Sequence, residues 1–262
     1  MKKTIIQIYE IQKPKEAEAL AAAGVDHIGS VLLDTDKRKN AAIRKTVLAA
    51  RQAGAKSGVI PLFNDPARIF AALEYYEPDF VHLCDTLAPY PDRRKAVVRD
   101  FDAFLSLQID IKDRFPRIEI MRSLSVPRPG RPDRQEVEKI LLDFAERFSP
   151  FSDYFLLDTL LDGDAQPVDG FVGVTGETCD WEMAKSVIEK SRIPVILAGG
   201  LSPENVFEAI TAVRPAGVDS CTKTNAVDPS GQPVRFKKDM KRVEKFIAEV
   251  RRGDAFFSGV AS

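Results

Sequence analysis

Short apolar runs alternate with amphipathic segments along the chain, and the alternation repeats eight times. The apolar runs are 4–9, 27–33, 57–63, 79–84, 117–122, 153–158, 194–198 and 217–221. They are rich in Ile, Val, Leu and Phe and are often bounded by Gly, Pro or Asp, which is the pattern of strands. Nearly unbroken apolar runs suit parallel strands covered on both faces. Between the runs, apolar residues recur at helical spacing, as in Val137, Ile140, Leu141, Phe144 and Phe148, or Met240, Val243, Phe246, Ile247 and Val250. Ser202-Pro203 predicts a helix start, and Gly24 and Gly54 predict helix ends. Strand–helix alternation with right-handed crossovers gives a parallel sheet, and eight units favour closure into a barrel over an open doubly wound sheet. A single (β/α)₈ domain over 1–262 is the expectation.

Composition narrows the partners. Apolar residues make up 44% of the 262, enough for a large core, and the formal net charge of −1 gives no basic field for nucleic acid. No apolar run is long enough to span a membrane, and the N-terminal stretch reads as a first strand rather than a signal peptide. Three widely spaced cysteines, Cys84, Cys179 and Cys221, without a C-x-x-C pair, read as free thiols in a reducing cytoplasm with no structural zinc. A monomer or homodimer that binds no membrane and no nucleic acid is expected.

Candidate chemistry gathers at the strand ends. Alternate strand residues share a face, so Gln7 and Tyr9 point one way together, as do His82 and Cys84, and Leu156 and Asp158. The expected strand-end set is Tyr9, His82, Cys84, Arg122 and Asp158, with Glu10, Asp34 and Asp85 on loops just above. Asp158 is the candidate acid/base, with His82 or Glu10 as its partner. Asp158, Glu10, Asp34 and Asp85 together offer oxygen ligands for a hard cation such as Mg²⁺, but no metal or other cofactor is assigned. Gly173, Thr175 and Gly176 form a glycine-rich turn, and Gly199 and Gly200 end the seventh strand. With Thr222 and Lys223 after the eighth, they form the candidate phosphate site. Lys223 suits either a point charge on phosphate or an imine-forming amine. The stretch 123–134 reads as the longest irregular segment, whose Arg128, Arg131 and Arg134 suit an anion-attracting lid.

Three runs in the second half carry a recognisable order and spacing. They are Phe155-Leu156-Leu157-Asp158-Thr159, then Gly173-Val174-Thr175-Gly176-Glu177-Thr178-Cys179-Asp180-Trp181, then Pro194 through Val206, followed by Gly217-Val218-Asp219. The chain resembles the phosphoribosylanthranilate isomerase family. That resemblance implies a (β/α)₈ TIM barrel of the ribulose-phosphate-binding type, an isomerase of a phosphorylated sugar derivative, and Asp158 in the place of the family's general acid. It also implies a substrate-binding arginine, for which Arg38 is the candidate; Arg122 and Cys84, from the strand-end set, are further candidate substrate contacts. The family's opening K-I-C-G, whose cysteine is the general base, is here Gln7-Ile8-Tyr9-Glu10. A phenol is a poor base at neutral pH. The expectation is therefore an isomerase or epimerase other than the tryptophan-pathway enzyme. The alternatives are an aldolase-type lyase through Lys223, or a non-catalytic barrel that binds a phosphorylated ligand. Val174-Thr175-Gly176-Glu177-Thr178 and Lys223-Thr224-Asn225 are also somewhat similar to the BtpA family of barrels.

Overall fold

The computed structural model of the protein describes residues 3–33, 39–88, 94–161 and 166–259. Eight parallel strands close on themselves in sequence order. They are β1 (Ile5–Ile8), β2 (His27–Leu32), β3 (Lys56–Pro61), β4 (Phe80–Leu83), β5 (Glu119–Pro127), β6 (Tyr154–Leu160), β7 (Val195–Leu197) and β8 (Gly217–Ser220). Helices α1 (Pro14–Ala23), α2 (Ala41–Gln52), α3 (Pro66–Tyr76), α4 (Arg94–Arg114), α5 (Arg134–Phe148), α6 (Trp181–Lys190) and α7 (Val206–Val213) fill the crossovers, and α8 (Met240–Ser258) ends the chain. The closure that excludes an open sheet is the β1–β8 pairing, in which Gln7 stands opposite Asp219 and Ile8 opposite Ser220. Among the described residues no helix is long and apolar enough to cross a membrane.

Strand period sorts the core into two layers. Ile6 and Ile8 face the helices and pack with Leu20, Ile28, Phe246 and Val250. Tyr9 faces inward with Val31, Ile60, Phe80, Met121, Leu156 and Ile196. The Tyr9 ring lies over Gly29, where an added Cβ would come within 1.9 Å of it. The helices start on side-chain caps. Asn40, Asp65, Asp180 and Asp239 each accept hydrogen bonds from the first-turn amides of α2, α3, α6 and α8. Gly24, at φ 100°, closes α1 as expected.

Two local expectations need correction. Residues 123–127 are not irregular, because β5 runs on to Pro127 beside β6, with Ser125 opposite Asp158. The helix after β7 starts at Val206 rather than at Ser202-Pro203. Ser202 Oγ accepts from Glu204 N at 3.1 Å, and Ser202 N donates to Asn205 Oδ1, which makes a hydrogen-bonded turn ahead of the helix. An antiparallel hairpin, β9 (Asn225–Val227) with β10 (Pro233–Lys238), also stands between β8 and α8, where the apolar pattern marks no strand.

Candidate active site

Asp158 and Asp219 share one cleft at the C-terminal ends of the strands. Asp158 follows Leu156 by two positions on β6 and so turns to the barrel interior, where its half-buried carboxylate emerges. Its Oδ1 accepts from Thr159 N at 2.7 Å. Burial raises its pKa to about 6, against the opposing pull of that amide. Asp219 on β8 is nearly buried and accepts from Gln7 Nε2 at 3.2 Å. Burial first, and then the charge of Asp158, push its pKa up to about 8, while Gln7 and Lys238 oppose the rise. Gly176, Gly199, Gly200, Cys221, Thr222 and Lys223 are among the other residues lining this cleft, about 30 Å³ in volume. Gly176, Gly200 and Lys223 also line an outer cleft of about 830 Å³. That size suits a phosphorylated small molecule.

The glycine turns hold two backbone segments against each other. A Cβ on Gly200 would lie 2.8 Å from the Gly176 carbonyl oxygen, and one on Gly199 would lie 2.3 Å from Thr159 Oγ1. The same Thr159 hydroxyl donates to Glu177 O at 2.6 Å. Gly199 and Gly200 therefore first seat the loop carrying Gly173, Thr175 and Gly176. Val174 within that loop holds φ 60°, a costly value for a β-branched residue. Thr175 Oγ1 accepts from Glu177 N at 3.2 Å. Lys223 is exposed at the rim, its side chain beside Gly176.

Tyr9, His82 and Cys84 do face inward, as strand parity predicts, but they lie beneath or beside the carboxylates. Tyr9 OH donates to Met121 Sδ at 3.6 Å, and burial together with nearby acidic groups holds its pKa well above 10. His82 Nε2 meets Ser123 Oγ at 2.7 Å, and its ring lies 5.2 Å from that of Tyr9. Burial, and after it the charge of Arg122, lowers the His82 pKa to about 3, so the ring is neutral. Burial pushes the Cys84 thiol up, out of the range of a useful thiolate.

Other predicted residues are placed elsewhere. Arg122 is not in the barrel mouth. It alternates with the inward Met121 and so enters the helix layer, donating to Asp85 Oδ2 at 2.8 Å with its guanidinium over Phe104 and Phe148. Glu10, at φ 66°, turns away from Tyr9 and accepts from Arg235 Nε at 2.6 Å on the hairpin. Neither Arg122 as a substrate contact nor Glu10 as partner of Asp158 fits these positions. Arg38 and Asp34 lie outside the described residues. With Glu10 and Asp85 in separate ion pairs, the four-carboxylate cation set is not assembled among the described residues. Arg128 reaches Glu177 across the outer cleft at 3.1 Å, whereas Arg131 binds Asp133, and Arg134 binds Asp180 at the start of α6. The sequence reading missed Asp219 as a titrating group. Nothing local in the sequence marked it, because Asp219 comes to stand opposite the inward Gln7 only when β1 pairs with β8.

Two carboxylates with raised pKa values at the C-terminal mouth of a closed parallel barrel, beside glycine turns and a lysine, mark the place where (β/α)₈ barrel enzymes carry their active sites. A family profile described as "PRAI: N-(5'phosphoribosyl)anthranilate (PRA) isomerase" matches residues 133–248. A curated N-(5'-phosphoribosyl)anthranilate isomerase from Methanocella arvoryzae is 31% identical over 257 residues, covering 95% of this chain and 98% of that protein. The chain belongs to the phosphoribosylanthranilate isomerase family and is an isomerase. The fold is shared with the Pyrococcus furiosus enzyme of that name, at a TM-score of 0.66 and 22% identity over 95% of this chain and 99% of the other. It is shared too with a phosphoribosylanthranilate isomerase solved in complex with reduced 1-(o-carboxyphenylamino)-1-deoxyribulose 5-phosphate. There the TM-score is 0.64 and the identity 21%, over 95% of this chain and 99% of the other.

Proposed function

We propose that this chain isomerises a phosphorylated N-glycosylamine to the corresponding aminodeoxyketose, and that Asp158 and Asp219 carry the protons. The observation that bears the reading is the pair itself, with pKa values raised to about 6 and about 8 in one cleft. Near neutral pH such a pair holds one proton between its two members. The proton stored on Asp219 goes to the ring oxygen as the furanose opens. Ionised Asp158 then takes the proton from C2. The resemblance puts the acid at Asp158 and the base at the position of Tyr9, whereas this assignment makes Asp158 the base and Asp219 the acid.

The β6–β8 side of the mouth offers Gly176, Gly200, Thr222 and Lys223 to a phosphate. The buried layer that Tyr9 shares is apolar, with Val31, Ile60, Cys84, Phe171 and Val172. The expectation of a substrate outside the tryptophan pathway rested on the missing cysteine alone. A carboxylate base in the same cleft removes that ground, and N-(5'-phosphoribosyl)anthranilate, named for the relatives, becomes the substrate we assign. The imine reading of Lys223 loses support from its exposure, since an imine-forming lysine is normally desolvated.

Incubation of the purified protein with N-(5'-phosphoribosyl)anthranilate, followed by chromatography, tests this. Turnover should be bell-shaped in pH, with limbs of kcat/KM near 6 and near 8. It should fall by about 10²–10⁴ in Asp158→Asn and in Asp219→Asn. Disappearance of substrate no faster than in buffer ends the reading.

A further inference from the structure

Behind Asp219 lies a hydrogen-bonded chain that no step above uses. Gln7 is fully buried on β1. Its Nε2 lies 3.2 Å from Asp219 Oδ1 and 3.6 Å from Met121 Sδ, while its Oε1 lies 3.1 Å from His27 Nδ1. The two ends of an amide are not equivalent, because the nitrogen only donates and the oxygen only accepts. A carboxylate oxygen and a thioether both accept, so they select the nitrogen. The amide oxygen is left facing His27, whose Nδ1 must then carry the proton. The His27 ring is held between Phe80 and Tyr154, with centroids 5.2 and 5.5 Å away, and is buried. Turning the other nitrogen toward Gln7 would break this packing.

We propose that Gln7 and His27 are positioning residues that decide which oxygen of Asp219 holds the proton. The Gln7 N–H occupies Oδ1, so the proton rests on Oδ2, the oxygen left free of Gln7. His27 acts one bond further back by locking the Gln7 amide against a flip. The function assigned to this chain rests on the reading of Asp219 as a proton donor; the hydrogen-bonded chain itself does not. The other titratable or charged groups near Asp219 are Asp158 on β6, Lys238 on β10, Tyr9 just after β1, Cys221 just after β8 and Lys223 at the rim. The charges around His27 are Lys56, Asp26 and Asp79. Burial first, and then Lys56, lowers its pKa to about 4, so the ring stays neutral.

The chain has only two histidines, so ring ¹⁵N labelling of the intact protein gives two sets of signals, and His27→Asn assigns one of them. Between pH 5 and pH 8 His27 should be neutral with its proton on Nδ1. A proton on Nε2, or a cationic ring at pH 6, overturns the proposal. The ¹³C carboxyl titration of Asp219 supplies the second arm. Gln7→Met, of similar length but without a donor, should move the Asp219 midpoint upward by about one pH unit, because a hydrogen bond to the charged form is lost. His27→Asn keeps an N–H for Gln7 and should leave the midpoint in place, whereas His27→Phe should raise it. Equal midpoints in the Asn and Phe variants would mean that His27 only fills space, and would overturn its role. None of these readouts requires turnover. A wild type inactive on N-(5'-phosphoribosyl)anthranilate would therefore sink the proposed function and leave this inference to be judged on its own.

Discussion

Tyr9 directs its hydroxyl at Met121 Sδ, 3.6 Å away in the barrel interior, and so away from the cleft that holds Asp158 and Asp219. It occupies the strand position of the family's cysteine without facing the reacting atoms. Tyr9→Phe should therefore keep kcat/KM within about threefold, because the hydrogen bond it loses is a weak one to sulfur. A loss of 10² or more in steady-state assays would give the phenol a chemical role.

Arg122 and Asp85 form an ion pair with side-chain exposures of 0% and 6%. Removing one partner strands the other charge away from water. Arg122→Ala should cost about 3–5 kcal/mol in denaturant unfolding. The affinity for a phosphorylated ligand at temperatures where the variant is folded should be nearly unchanged. A selective rise in KM with intact stability would return Arg122 to the list of substrate contacts.

Gly200 lets the turn after β7 touch the Gly176–Glu177 backbone, and its φ of 57° is unfavourable for a side chain. Gly200→Ala puts a methyl 2.8 Å from that backbone, so the loop must move. Stability should fall by about 1–3 kcal/mol, the cost of a residue forced into sparsely populated backbone geometry. Phosphate binding followed by calorimetry should fall in parallel. Unchanged binding would separate the turn from the phosphate site.

Lys223 is an exposed point charge shared by the inner and outer clefts. Lys223→Ala should weaken inorganic phosphate binding about tenfold at low ionic strength, as for a charge-assisted hydrogen bond. The difference should shrink in high salt through screening. A difference independent of salt would argue against a direct charge on the anion.

Asp219 links stability to pH. Its unfolded carboxyl ionises near 3.9, whereas the folded carboxyl keeps its proton until about 8. Between these values the folded state binds the extra proton, so stability must fall as pH rises. The slope from this group is at most about 1.4 kcal/mol per pH unit. Asp219→Asn should flatten the decline between pH 5 and pH 8 in urea titrations. The same slope in both proteins would place the proton elsewhere.

The sequence by itself determined the eight strand–helix units, because hydrophobic period and turn residues are local properties. Strand parity was legible for the same reason, and it turned Tyr9, His82, Cys84 and Asp158 inward together. Parity was also the correct guide for Arg122, yet nearness to a strand end outweighed it in the reading, and only the extent of β5 to Pro127 showed that Arg122 is not at the mouth. The hairpin was invisible because Pro233–Lys238 alternates on an exposed ribbon rather than as an apolar run. What only the tertiary structure decided is the chemistry of the carboxylates. Asp219 meets Gln7 across 212 positions of sequence, through the pairing that closes the barrel. A carboxyl that would be fully ionised in a free chain keeps its proton there, because closure removes its water and sets Asp158 beside it.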